Sequence, residues 1–95
     1  MNVRVRVPTA LRELVGGAQS VELDVASETV TVGTVLDALA LAHPALERRV
    51  RDELGRTRVH VNLFVGADNV RDLDGLATPI ASGTDLSIIP AVSGG

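Results

Sequence analysis

The stretch TVGTVLDALALAHP, Thr31 to Pro44, spells a helix with its own start and stop. Thr31 suits the N-cap, because its hydroxyl can accept one of the backbone N–H groups that a first helical turn leaves without a partner. Val32, Val35, Leu36 and Leu39 recur at i, i+3, i+4 and i+7, and Asp37 points the other way. The stripe runs to His43. Pro44 stops it, since proline disfavours helical angles in the residue before it. A helix with one apolar face needs a second layer against that face, and its flanks supply one.

Upstream lie two strands. From Asn2 to Val7, Val3, Val5 and Val7 share one face, with Arg4 and Arg6 opposite. Pro8 ends this strand. Thr9 to Val15 holds one or two helical turns carrying Leu11 and Leu14, closed by Gly16-Gly17. Gln19 to Val25 is a second strand, with Val21, Leu23 and Val25 inward and Glu22 and Asp24 outward. Neighbouring strands with a short connection pair antiparallel.

Downstream, Ala45 to Glu53 reads as a shorter helix that buries Leu46 and Val50, and Leu54-Gly55 ends it. Arg58 to Val65 is a strand in which Val59, Val61, Leu63 and Val65 alternate with Arg58, His60, Asn62 and Phe64. Gly66-Ala67-Asp68-Asn69 turns the chain. Val70 to Ile80 is irregular, with a short strand and a turn at Asp74-Gly75. Asp85 to Ala91 is the last strand, with Leu86 and Ile88 inward and Ser87 and Ile89 outward.

The order strand, strand, helix, strand, short strand, strand predicts an α+β roll of the β-grasp kind: a mixed sheet with one main helix packed on one face. The first and last strands should lie side by side at the centre, roughly parallel. Residues 1–95 then form one domain, and Val92 to Gly95 project beyond the last strand. A chain of 95 residues is long enough for one core and not for two.

Composition removes several function classes. With 45% hydrophobic residues and Phe64 as the sole aromatic, the core must be aliphatic. No apolar run approaches the roughly 20 residues that cross a bilayer, and Met1 to Val7 lacks the apolar block of a signal peptide, so a cytoplasmic protein is expected. A net charge of −3 with arginines spread along the chain argues against nucleic acid as partner. Without cysteine there is no thiol nucleophile, disulfide or thiolate zinc site, and without lysine there is no side-chain amine. His43 and His60 make a poor metal pair. His43 is expected at a helix end, and His60 on the open face of the sheet. Asp72 and Asp74 flank a turn, where aspartate serves the backbone. No side-chain catalytic set emerges.

The chemistry is left to Gly94-Gly95. Chance places a glycine pair at a chain end about once in 200 sequences. Here the pair follows a strand by only a few residues. Lacking Cβ atoms, such a tail fits a narrow channel, and its acyl carbon is open to attack. A free carboxylate is a poor electrophile, so its activation needs ATP and an adenylating partner.

The segment Ile88-Ile89-Pro90-Ala91-Val92-Ser93-Gly94-Gly95 resembles the C-terminal end of sulfur carriers of the MoaD/ThiS family, which are ubiquitin-like. Leu11 to Gly17, the helix from Val32 into His43-Pro44, and the strand at Val61-Asn62 extend the likeness over essentially the whole chain. Met1-Asn2-Val3, Pro8-Thr9, Asp68 to Arg71, Gly75 to Thr78 and Pro90-Ala91-Val92 are most similar to CysO-type members. The segment Ala45 to Glu53 makes the chain longer than typical thiamin-pathway carriers.

The resemblance implies a carrier, not an enzyme. Its Gly95 carboxylate would be adenylated by an E1-like enzyme and turned into a thiocarboxylate by a donor such as a rhodanese-type persulfide. The acceptor implied is a PLP-dependent cysteine synthase, with a metal-dependent peptidase releasing the product. ATP, pyridoxal phosphate and metal belong to those partners, and this chain is expected to bind no cofactor. Val92, Ser93, Gly94 and Gly95 would enter the partner's site. By strand parity Phe64 and Ile89 share the open face near the tail and, with Pro90, are expected to form a docking patch; the resemblance adds that Ile89 matches a bulky apolar position of the family. Against that stands a minor core in which Ala45 to Gly55 covers Phe64. Arg4 and Arg6 are expected mainly as solvated surface.

Overall fold

The computed structural model describes residues 1–90. Alternating valines and leucines bring β1 (Asn2–Arg6) and β2 (Ser20–Asp24) together as an antiparallel pair, with Val3 opposite Leu23 and Val5 opposite Val21. A 3-10 helix over Thr9–Val15 connects them. It ends on Gly16, whose φ of 68° is open to glycine without strain.

The helix α1 (Val32–Ala42) starts as expected. Thr31 Oγ1 accepts the Thr34 N–H at 3.2 Å, and the Thr34 hydroxyl oxygen accepts the Thr31 N–H at 2.8 Å. This reciprocal box satisfies two donors at once. Val32, Val35, Leu36 and Leu39 are all buried. At Gly33 a Cβ would stand 3.2 Å from the Leu76 carbonyl oxygen, so a bare backbone lets the first turn pack closely there.

Three helix boundaries shift. The helix ends at Ala42, not His43, which is the joint to α2 (Pro44–Val50). The second helix is shorter than Ala45 to Glu53: it starts on Pro44, which has no N–H to leave unpaired, and stops at Val50. Beyond it the chain doubles back, because the Asp52 N–H donates to the Arg56 carbonyl at 2.8 Å. Leu46 and Val50 join Leu36 and Leu39 in one core, so both helices cover the same side of the sheet. Arg51 ties the helices together, reaching Glu47 at 2.6 Å and Asp37 at 3.0 Å. Burial works against its charge, but the two carboxylates outweigh that and raise the guanidinium pKa.

The third strand is β3 (Val61–Val65), not Arg58 to Val65. The Arg58 N–H donates to the Val50 carbonyl at 2.9 Å, and the Val61 N–H donates to the Arg58 carbonyl at 3.0 Å. Arg58 to His60 is therefore drawn back toward α2 as a turn. Val59, which alternation placed inside, is 75% exposed, and His60 lies off the strand. The short strand also moves. It is β4 (Asp68–Asn69), paired with Val65 and Phe64 across a turn at Gly66-Ala67. The Asn69 side chain accepts the Arg71 N–H and so caps a 3-10 turn over Val70–Asp72; a second follows over Gly75–Ala77.

The last strand, β5 (Leu86–Pro90), lies between β1 and β3. It runs parallel to β1, with Val5 beside Leu86, and antiparallel to β3, with Leu63 opposite Ile88. The sheet order is β2-β1-β5-β3-β4. Its inner face (Val3, Val5, Val21, Leu23, Leu63, Leu86, Ile88) and the two helices enclose one aliphatic core. Full burial of each such side chain stabilises by about 1.5–3 kcal/mol. This is the β-grasp architecture. Among the described residues, no helix is long and apolar enough to cross a membrane.

Candidate functional site

The open face of the sheet is built by parity. In β5 the burial alternates, so Leu86 and Ile88 face the helices while Ser87 and Ile89 face away. In β3 the outward residues are Asn62 and Phe64. Register sets Ile89 opposite Asn62, and Ser87 opposite Phe64. Phe64 and Ile89 are thus diagonal neighbours, a spacing that long side chains can bridge. Ile89 is 45% exposed, and Phe64 is half-buried. Phe64 does not join the core that holds Leu46 and Val50, and α2 lies on the other side of the sheet. The minor-core reading, with Ala45 to Gly55 over Phe64, does not hold.

Beside this pair the face becomes charged. Arg4 meets Glu22 across β1 and β2 at 3.8 Å, and Arg6 reaches Asp85 at 3.5 Å. Exposed pairs of this kind contribute roughly 0–1 kcal/mol each, so they describe a solvated surface. A shallow groove of about 210 Å³ follows the seam between β1 and β5, lined by Arg6, Pro8, Ser87, Ile89 and Pro90 among others. Pro90, paired with Val61, is where the described chain stops. The expected tail residues Val92, Ser93, Gly94 and Gly95 lie outside the described residues.

The sequence reading missed a second and larger groove. About 940 Å³ of open space lies on the other flank of Pro90, and Arg49, Arg56, Arg58, His60, Val59 and Leu11 line part of it. Arginines that look dispersed in the sequence gather here. The signal was present, since five of the nine arginines fall between Arg48 and Arg58. Among the described residues, no three histidine or carboxylate side chains converge as a metal site would require.

Comparison with known proteins places this geometry. The family model described as "ThiS family" matches residues 5–95. The sulfur carrier protein CysO of Mycobacterium tuberculosis is 38% identical over 97 residues, covering all of both chains. Small archaeal modifier protein 1 of Haloferax volcanii is 40% identical over 81 residues, 85% of this chain and 87% of that protein. Among solved structures, a chain of the Amycolatopsis orientalis BexX/CysO complex superposes with a TM-score of 0.84 at 33% identity, over 98% of this chain and 99% of that one. With family match and full-length likeness in agreement, the chain belongs to the ThiS family.

Proposed function

We propose that this protein is a sulfur carrier of the CysO type, working in the cytoplasm through the carboxylate of Gly95. It is not an enzyme. The carboxylate oxygen attacks the α-phosphate of ATP in an E1-like partner, releasing pyrophosphate and leaving an acyl-adenylate. Hydrosulfide sulfur then displaces AMP to give the thiocarboxylate. The sulfur passes to a synthase, which by likeness to CysO is a PLP-dependent cysteine synthase, with a metal-dependent peptidase freeing the product. The observation that carries this reading is that the family match runs through Gly94 to Gly95. The fold supports it, since β5, paired with β1 at Leu86 and Ser87 and with β3 as far as Pro90, delivers the following chain from a fixed body.

Intact mass tests the carrier. Protein incubated with ATP, sulfide and the organism's adenylating enzyme should gain the difference between one sulfur and one oxygen, and deleting Gly95 should abolish the gain. No gain with an enzyme shown to be active would overturn the reading for that pairing. The likeness to an archaeal modifier favours a second reading, attachment of Gly95 to lysines of other proteins. Conjugates on a denaturing gel would show it. Delivery to molybdopterin, thiamin or sulfur-containing natural products, and a plain binding module with an idle tail, remain the other outcomes of acceptor assays and Gly95 deletion.

Docking on the open face has its own test. Ile89→Asp should raise the KM for adenylation by about 10-fold or more, because it puts a charge at the centre of an apolar contact. The thermal midpoint should hold, since Ile89 is an outward residue. Unchanged kinetics would remove Ile89 from the interface.

A further inference from the structure

The larger groove beside Pro90 is bounded by an exposed loop that is tied together by its own hydrogen bonds. Arg51 and Thr57 form a β-bridge at its base. Inside it, Asp52 Oδ1 accepts the N–H groups of Leu54 at 2.9 Å and Arg56 at 3.0 Å. Those bonds, with that of Arg56 first, hold the Asp52 carboxyl pKa below its ordinary value. The loop is thereby pre-organised. It presents Leu54, 74% exposed, and Val59, 75% exposed, at its tip and exit.

Arginine predominates around these two side chains: Arg49, Arg56 and Arg58 line the groove against the one carboxylate of Asp52, and Glu53 adjoins Leu54. Arg56 is matched by Asp52 at 3.4 Å. Arg58 Nε donates to the Arg48 carbonyl at 2.8 Å, which fixes the guanidinium without neutralising it. Among the described residues, neither Arg49 nor Arg58 forms an ion pair. A chain of net charge −3 therefore carries a local cationic groove at the root of its working tail.

We infer that this groove, with Leu54 and Val59, docks an acidic segment of the adenylating enzyme. The inference rests on the carrier reading and deepens it by naming a second contact. Charge complementarity argues for the occupant. The tail enters the adenylating site as a carboxylate and meets the phosphates of ATP, so like charges oppose its entry. Affinity for that step must come from the body of the carrier, and cationic groups near the tail root supply attraction where it is needed. Oriented charges of this kind act on encounter and register.

The test is steady-state adenylation, read by pyrophosphate release with ATP and the organism's E1-like enzyme. Arg49→Glu combined with Arg58→Glu should raise KM for the carrier about 10-fold or more with kcat changed less than about twofold, and should flatten the dependence of KM on salt. Arg49→Gln with Arg58→Gln should fall between, and circular dichroism confirms that each variant is folded. Arg48→Glu changes charge outside the groove lining and should stay within about twofold of the parent. Unchanged KM in the folded double variant overturns the groove while Gly95 dependence leaves the carrier intact. An equal loss in Arg48→Glu reduces the effect to net charge and overturns it also. If the parent itself is not adenylated, both readings fall together.

Discussion

Leu86→Ala should lower the stability of the domain by about 2–5 kcal/mol, the range for truncating a fully buried leucine into a cavity. Leu86 is 0% exposed and stands in the central strand, with Val5 beside it on β1 and Val65 opposite on β3. Removing its branched end leaves a void between sheet and helices that backbone pairing on both sides prevents from collapsing. In a domain of this size the midpoint should fall on the order of 10–30 °C. Ile89→Ala, three positions along the same strand and facing outward, should stay within about 0.5 kcal/mol. Thermal melts of the pair, followed by circular dichroism, test this. A loss at Ile89 as large as at Leu86 would mean that the two faces of β5 are not inside and outside.

Gly94→Leu should leave the melting temperature where it is and reduce thiocarboxylate formation about 100-fold. Under the proposed carrier role, a Cβ and its branch next to the Gly95 carboxylate would narrow the conformations open to the chain end and displace the acyl carbon from attack. Misplacement of a reacting group by about 1 Å is enough for a loss of that order. The readout is the rate of the oxygen-to-sulfur mass change under the adenylating conditions described above. The expected signature separates chemistry from docking, because kcat should fall here whereas Ile89→Asp should act on KM. A variant converted at the parental rate would mean that glycine at this position serves no steric purpose.

Parity along the chain was enough to read the architecture. Val3 and Val5, Leu23, the stripe from Val32 to Leu39, and the in-out order of Leu86 to Ile89 follow periods that only burial on one face explains. The central parallel pairing of β1 and β5 came from element order. Ends of elements were harder. Alternation from Arg58 onward continues past the point where the ladder begins, because a side-chain period carries no information on where a backbone N–H finds its acceptor. Val50 takes the one from Arg58, and Val59 is left outside. Asn69 similarly ends a strand by capping the turn after it, a role that its sequence neighbours do not reveal. Of the docking patch, the shared outward face of Phe64 and Ile89 was legible. The arginine groove was not, since it depends on a loop folding Arg56 and Arg58 back beside Arg49.

The place of β5 between two neighbours has a mechanical meaning. A pull along the strand axis on the chain after Pro90 loads the β3 ladder from Val61 to Val65 as one, with the β1 pairing at Leu86 and Ser87 behind it. Such a load shears the ladders together and cannot peel them open one bond at a time. A partner that pulled on the chain in that direction would therefore tow the whole domain against its surface.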